Sequence, residues 1–198
     1  MNSRIRILQA IRQAAIAPLP QPEIARFENP ADWATFATAA QIAGAKVVQD
    51  GSLAEACQRL QLHTGKRILN AVPDLANFGE TPDPQLDPHT LADVEAVLLK
   101  GRFGVAENGA VWLRENDLVV RALPFICRHL YILLEISAIL PDMHAAYAHI
   151  DQENPNFGLF ICGPSKTADI EQSLVIGAHG ALSATIIGIG DWGFRIGD

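Results

Sequence analysis

The sequence predicts an α/β protein, specifically a three-layer α/β/α arrangement around a mostly parallel sheet. Helix-like and strand-like stretches alternate along most of the chain. The strand-like pieces are short continuous apolar runs, as strands buried on both faces require. Apolar residues make up 49% of the chain and charged residues 19%, which suits a buried sheet and excludes a disordered or fibrous polypeptide. At 198 residues, the chain is read as a single domain over 1–198.

Ile5, Leu8, Ile11 and Ala15 recur at helical spacing, so residues 1–16 are expected to form an amphipathic surface helix. Arg4, Arg6 and Arg12, with no acid before Glu23, also give this stretch the charge bias of a transit peptide, but it is poor in Ser. Pro18, Pro20 and Pro22 cannot continue a helix, which makes 17–30 a Pro-rich linker. A helix is expected over 31–43, stopped by Gly44, then a strand at 46–49. A second helix over 53–62, stopped by Gly65, leads to a strand at 67–71.

The breaker-rich segment 79–88 reads as a surface loop between two halves of the domain. Strands follow at 95–99, 110–113 and 130–135, then a helix at 142–150 and a strand at 158–162. A helix over 168–177 and a strand at 183–187 complete the pattern. There is no internal repeat.

The formal charge of −7 and the lack of any Lys/Arg run argue against a nucleic-acid surface. Cys57, Cys127 and Cys162 stand far apart without a CxxC pair, which fits a reducing cytoplasm better than a disulfide framework or a cluster site. His144 and His149 are five apart, so they do not share a helix face as metal ligands would, and no metal is expected. No apolar run reaches the roughly 18 residues of a membrane span.

Two segments could carry chemistry. In Gly158-Leu159-Phe160-Ile161-Cys162-Gly163-Pro164-Ser165-Lys166-Thr167, an apolar strand ends in a Gly-Pro turn and small polar residues follow. Gly163, Pro164, Ser165, Lys166 and Thr167 are therefore expected at a helix N-terminus beyond the carboxyl end of a strand, where free N–H groups favour an anion. Thr167 as an ordinary helix N-cap explains the same residues equally well. The segment is not a P-loop, since Ser165 precedes the Lys-Thr pair and Phe160 stands where the first Gly belongs.

The second is Ala106-Glu107-Asn108-Gly109-Ala110, a carboxylate on a tight turn beside a buried strand. Desolvation there would suit Glu107 to nucleophilic or general-base work; a hairpin turn with an exposed Glu is the plainer alternative. His179 and Gly180 draw interest because Gly177 and Gly180 allow close backbone approach.

These segments and their order resemble the LUD (lactate-utilization domain) family, and within it the lactate utilization protein C type. The resemblance rests on Gly163-Pro164-Ser165-Lys166-Thr167-Ala168-Asp169-Ile170-Glu171, on Gly177-Ala178-His179-Gly180 and on Ala106-Glu107-Asn108-Gly109-Ala110-Val111-Trp112-Leu113. It implies the three-layer fold shared with sugar-phosphate isomerases and coenzyme A transferases.

It also implies a part in oxidising L-lactate to pyruvate beside two iron–sulfur partner proteins, with no cofactor on this chain. A small carboxylate would then be held by Glu107, Asn108, Gly109, the Gly163 to Thr167 turn, Asp169, His179 and Gly180. Two positions depart from the family habit: Lys166 where Arg is common, and Ala181 where Pro commonly follows His-Gly. The Glu-Asn-Gly turn is also similar to that of some coenzyme A transferases, which would make Glu107 a nucleophile toward a thioester. A non-catalytic docking subunit is the third expectation.

Overall fold

A computed structural model describes residues 3–14, 20, 30–51, 65–75, 78–153, 157–168 and 174–190. The helix expected over 53–62 and most of the linker lie outside these residues. Helix α1 (Ser3–Gln13) forms as its periodicity predicts, but buries none of its residues and leaves Ile5, Ile7, Leu8 and Ile11 exposed. Among the described residues no helix is long and apolar enough to cross a membrane.

Helix α2 (Trp33–Ile42) starts where Asp32 Oδ1 accepts the Thr35 N–H at 2.8 Å, an N-cap that holds the Asp32 carboxyl below its usual range. Gly44, at φ 89°, turns the chain out of the helix. Strands β1 (Lys46–Gly51), β2 (Ile68–Asn70), β3 (Ala96–Lys100), β6 (His129–Glu135) and β11 (Ser183–Ile189) form one sheet in the order β1-β11-β6-β3-β2. Every pairing in it is parallel, with Thr185 beside Tyr131 and Leu98 beside Tyr131 on the two flanks of β6.

Both faces of this sheet are buried, as the middle layer of an α/β/α arrangement must be. Leu99, Ile132, Leu134 and Ile186 point to one face; Leu98, Leu133, Ile187 and Ile189 point to the other. Fully burying each such side chain contributes about 1.5–3 kcal/mol, which is why β3 and β6 carry no acid, Lys or Arg before their last residues.

The first face is covered by α2 and by a second sheet that periodicity alone does not announce. Strands β4 (Phe103–Val105), β5 (Val111–Arg114), β7 (Ile139–Leu140) and β8 (Gly158–Ile161) pair in the order β7-β4-β5-β8. Here β5 is antiparallel to both β4 and β8, while β7 is parallel to β4. The expected strands at 110–113 and 158–162 thus exist, but in this smaller mixed sheet. Its outer face packs Phe103, Trp112 and Phe160 against Ala146 and Ile150 of the helix at Met143–Glu153. That helix is α5; two one-turn helices, α3 (Glu115–Leu118) and α4 (Leu123–Ile126), precede it.

Of the helix expected over 168–177, residues 169–173 lie outside the described residues, and both described ends are strand. Lys166–Ala168 is strand β9, paired antiparallel with β10 (Leu174–Ile176) in a two-stranded hairpin. Val175 and Ile176 are β-branched and face Thr167 and Lys166 in register, so local strand preference overrides the weak helical spacing.

Candidate functional site

The Glu107 turn joins β4 to β5, and its geometry explains its sequence. Asn108 Oδ1 accepts the Ala110 N–H at 2.9 Å, closing the turn on itself. Gly109 has φ 73°, and a Cβ there would stand 2.2 Å from the backbone nitrogen of Ala40. The turn is pressed against α2, and only glycine fits.

The Glu107 side chain is exposed, the plainer of the two readings of this turn. Its Oε2 accepts the Met143 N–H at 2.9 Å, while the Glu107 N–H donates to Pro141 O at 3.1 Å. Both bonds tie the turn to the start of α5, where Asp142 Oδ1 accepts from Ala145 N at 2.7 Å. A carboxylate beside the free N–H groups of a helix start is a favourable arrangement in its own right.

The Gly163 turn follows β8 as expected, but Lys166–Ala168 behind it is strand and not a helix start. Gly163, at φ 74°, lies against Ala43, whose carbonyl oxygen would be 2.3 Å from an added Cβ. The Ser165 N–H donates to Ala181 O at 2.9 Å, and Ser165 O accepts from Gly177 N at 3.0 Å. That backbone N–H is therefore engaged within the protein and does not point at a ligand. Lys166, exposed, donates from Nζ to the carbonyl of Ala43, which places its ammonium at the end of α2.

Gly163, Pro164, Ser165 and Lys166 nevertheless line one cleft of about 240 Å³ with His179 and Gly180. The two motifs, 13 positions apart from Lys166 to His179, line it together. Gly180 lies 3.1 Å, measured from a built Cβ, from Ser165 Cβ, a contact that needs a small residue. Leu130 near the start of β6 and Ala181 just before β11 form the floor, so the cleft opens at the amino ends of the parallel strands. This differs from the expected carboxyl-end position: the turn is at the carboxyl end of β8, but β8 belongs to the second sheet.

Glu107, Asn108, Gly109 and Thr167 do not line this cleft, and Asp169 lies outside the described residues. One bond links the Glu107 turn to it: Cys162 Sγ, on the cleft wall, donates to Asn108 O at 3.1 Å. Burial pushes the Cys162 thiol up, against the opposing pull of the Lys166 ammonium.

Sequence reasoning missed Cys162, Phe125 and Phe160 as walls. A second hollow of about 370 Å³ shares Phe125, His179 and Gly180 with the first and adds Arg128. Lys166, Arg128 and the exposed His179 thus put positive or protonatable groups around a protein whose formal charge is −7.

The sequence matches the LUD domain family over residues 85–189, more than half of the chain and including both motif regions. Similar relatives are the lactate utilization protein C of Anoxybacillus flavithermus, 43% identical over 89 residues, and that of Geobacillus kaustophilus, 36% identical over 93. The matched regions cover 44% of this chain in each case, and 40% and 39% of the two relatives, so the chain spans less than half the length of the relatives it matches.

A crystal structure of a DUF162 family protein from Deinococcus radiodurans shares the fold at a TM-score of 0.59 and 18% identity, covering 79% of this chain and 95% of that one. The motif turns, the parallel sheet and the match over 85–189 together assign the chain to the LUD domain family.

Proposed function

We propose that this chain acts in lactate utilization in the cytoplasm, with the cleft between the Gly163 turn and the His179-Gly180 segment holding a small carboxylate such as lactate or pyruvate. The observation that carries the reading is that cleft: two separate motifs line it together, and relatives sharing up to 43% identity bear the lactate utilization name. Lys166 supplies the positive charge, and Ser165 Oγ and the His179 ring supply hydrogen bonds. A single ammonium attracts a carboxylate without the two-point fork an Arg would offer.

Glu107, Asn108 and Gly109 act on the cleft from behind, through the Asn108 to Cys162 bond, and Thr167 acts through its pairing with Val175. Oxidation of L-lactate to pyruvate releases two electrons and two protons. In this reading the electrons pass to iron–sulfur clusters on partner proteins, this chain supplying the carboxylate site and the docking surface.

The test is growth on L-lactate as sole carbon source of a deletion strain complemented with the native gene, Lys166→Met or Glu107→Gln. Growth restored by the native gene and lost with Lys166→Met, shown to be folded, supports the reading. Deletion without effect on lactate growth, in a host lacking a second route, overturns it. A folded Glu107→Gln that fails to complement returns the Glu107 carboxylate to the chemistry, and thioester turnover becomes the assay of the transferase-like alternative.

A further inference from the structure

Outside α1, five of the exposed large apolar side chains gather in one area. Strands β9 and β10 have only each other as strand neighbours among the described residues, and β10 is exposed along its whole length. Leu174 and Ile176 share the hairpin face that carries Lys166, while Val175 shares the other with Thr167. Just past β10, an added Cβ on Gly177 would stand 2.2 Å from Leu182 Cδ2, so Leu182 continues the apolar surface. Phe125 lines the same hollow of about 370 Å³ as Leu182. These five side chains are between 40% and 61% exposed. A two-stranded hairpin is marginal by itself in water, and a contiguous exposed apolar patch marks a place where another molecule binds.

The charge around the patch selects that molecule. On a chain of formal charge −7, Arg128 and His179 line the hollow, and Lys166 lies across from Ile176 on the hairpin. Arg128 is 64% exposed and meets Glu95 only at 3.9 Å, so its guanidinium keeps donors for a further carboxylate. Helix α1 of a second copy has a suitable apolar face but the wrong charge, since it carries Arg4, Arg6 and Arg12 and no acid. An acidic partner meets both conditions.

We propose that β10 and the adjoining hollow form a docking surface for an extended acidic segment of another protein. The segment pairs with the open edge of β10, seats an apolar side chain between Phe125 and Leu182, and presents a carboxylate to Arg128. Main-chain bonds to a strand edge supply affinity, and the alternating side chains supply specificity. The inference stands apart from the lactate reading, because it concerns the hairpin and the second hollow whatever the first cleft holds.

The test is selection from a random library of 12-residue peptides displayed on phage, panned on the full chain and counter-selected on Leu174→Thr/Ile176→Thr. Threonine keeps the strand preference, so this variant removes apolar surface and leaves the hairpin, with circular dichroism confirming the fold. The surviving peptides are expected to be rich in Asp and Glu among alternating apolar residues. A synthetic copy of the most enriched is expected to bind wild type at least tenfold more tightly than Arg128→Gln, and to slow amide exchange in Leu174–Ile176. The proposal is overturned if no peptide distinguishes wild type from the threonine variant, or if the selected peptides carry no excess of acid. It is equally overturned if folded Arg128→Gln keeps wild-type affinity or if exchange in β10 is unchanged. A dimer of the chain alone, seen in sedimentation and dispersed by Leu182→Asp, overturns it in favour of a second copy.

Discussion

The Glu107 carboxylate accepts the Met143 N–H at 2.9 Å, so the turn between β4 and β5 is fastened to the first residue of α5. Glu107→Ala should destabilise the protein by about 1 kcal/mol, the ordinary worth of a lost helix-start bond, read as a shift in the urea midpoint. Glu107→Gln keeps an acceptor oxygen and should cost less than half of that. Lactate growth retained by Glu107→Gln is the expected companion result.

Two glycines with similar backbone angles should respond very differently to alanine. Among the described residues, Gly65 (φ 80°) has no atom within 4 Å of an added Cβ, whereas Gly109 (φ 73°) would place one 2.2 Å from Ala40 N. Gly65→Ala should cost about 1 kcal/mol, from its backbone angle alone. Gly109→Ala must also push the turn off α2 and should cost about 3 kcal/mol or more, or leave the protein insoluble. Equal denaturation midpoints for the two variants would refute the close packing of turn on helix.

The largely buried pair Arg102 and Asp117 should be sensitive to the loss of one partner. Arg102 Nε and Nη2 donate to the two Asp117 oxygens at 2.6 and 2.8 Å, and the side chains are 12% and 13% exposed. Asp117→Asn should destabilise by about 2–3 kcal/mol, since the guanidinium is left half-paired away from water. Replacing both by Met and Leu should recover part of that loss in a double-mutant cycle.

Acid sensitivity should be traceable to Arg67. Its guanidinium meets Glu80 at 3.0 Å and Asp93 at 2.7 Å, and these hydrogen bonds hold both carboxyls below their usual range. A carboxyl lowered in the folded state lends stability that is fully present above the unfolded value near pH 4 and is lost as pH falls through the lowered one. Urea midpoints followed downward from pH 6 should therefore fall less steeply in Arg67→Met than in wild type.

The parallel strands were legible in the sequence because Ala96 to Leu99 and Leu130 to Leu134 are apolar without interruption, and only strands covered on both faces look so. That same property hid the second sheet. Val111, Trp112 and Leu113 are equally buried but antiparallel, and burial says nothing about strand direction. The Gly163 and His179 segments were singled out in the sequence. The cleft's position was not, because it follows from β8 leaving the central sheet. Glu107 was singled out, but its bond to Met143 was not foreseen, since that partner lies 36 residues away and no local pattern marks it.

The placement of β1 beside β11 has a consequence for biosynthesis. Lys46 pairs with Thr185, and among the described strands β11 is the only neighbour of β1. At a translation rate of roughly 5–20 residues per second, the interval between making these two strands is on the order of ten to thirty seconds. Throughout it, the Lys46–Gly51 segment lacks its β11 partner, and once β6 is made the edge that will receive β11 stays open. The sheet closes only as the final described strand slides between two that are already waiting. A nascent chain halted before Ser183 would expose two unsatisfied strand edges at once, the kind of species that chaperones exist to hold.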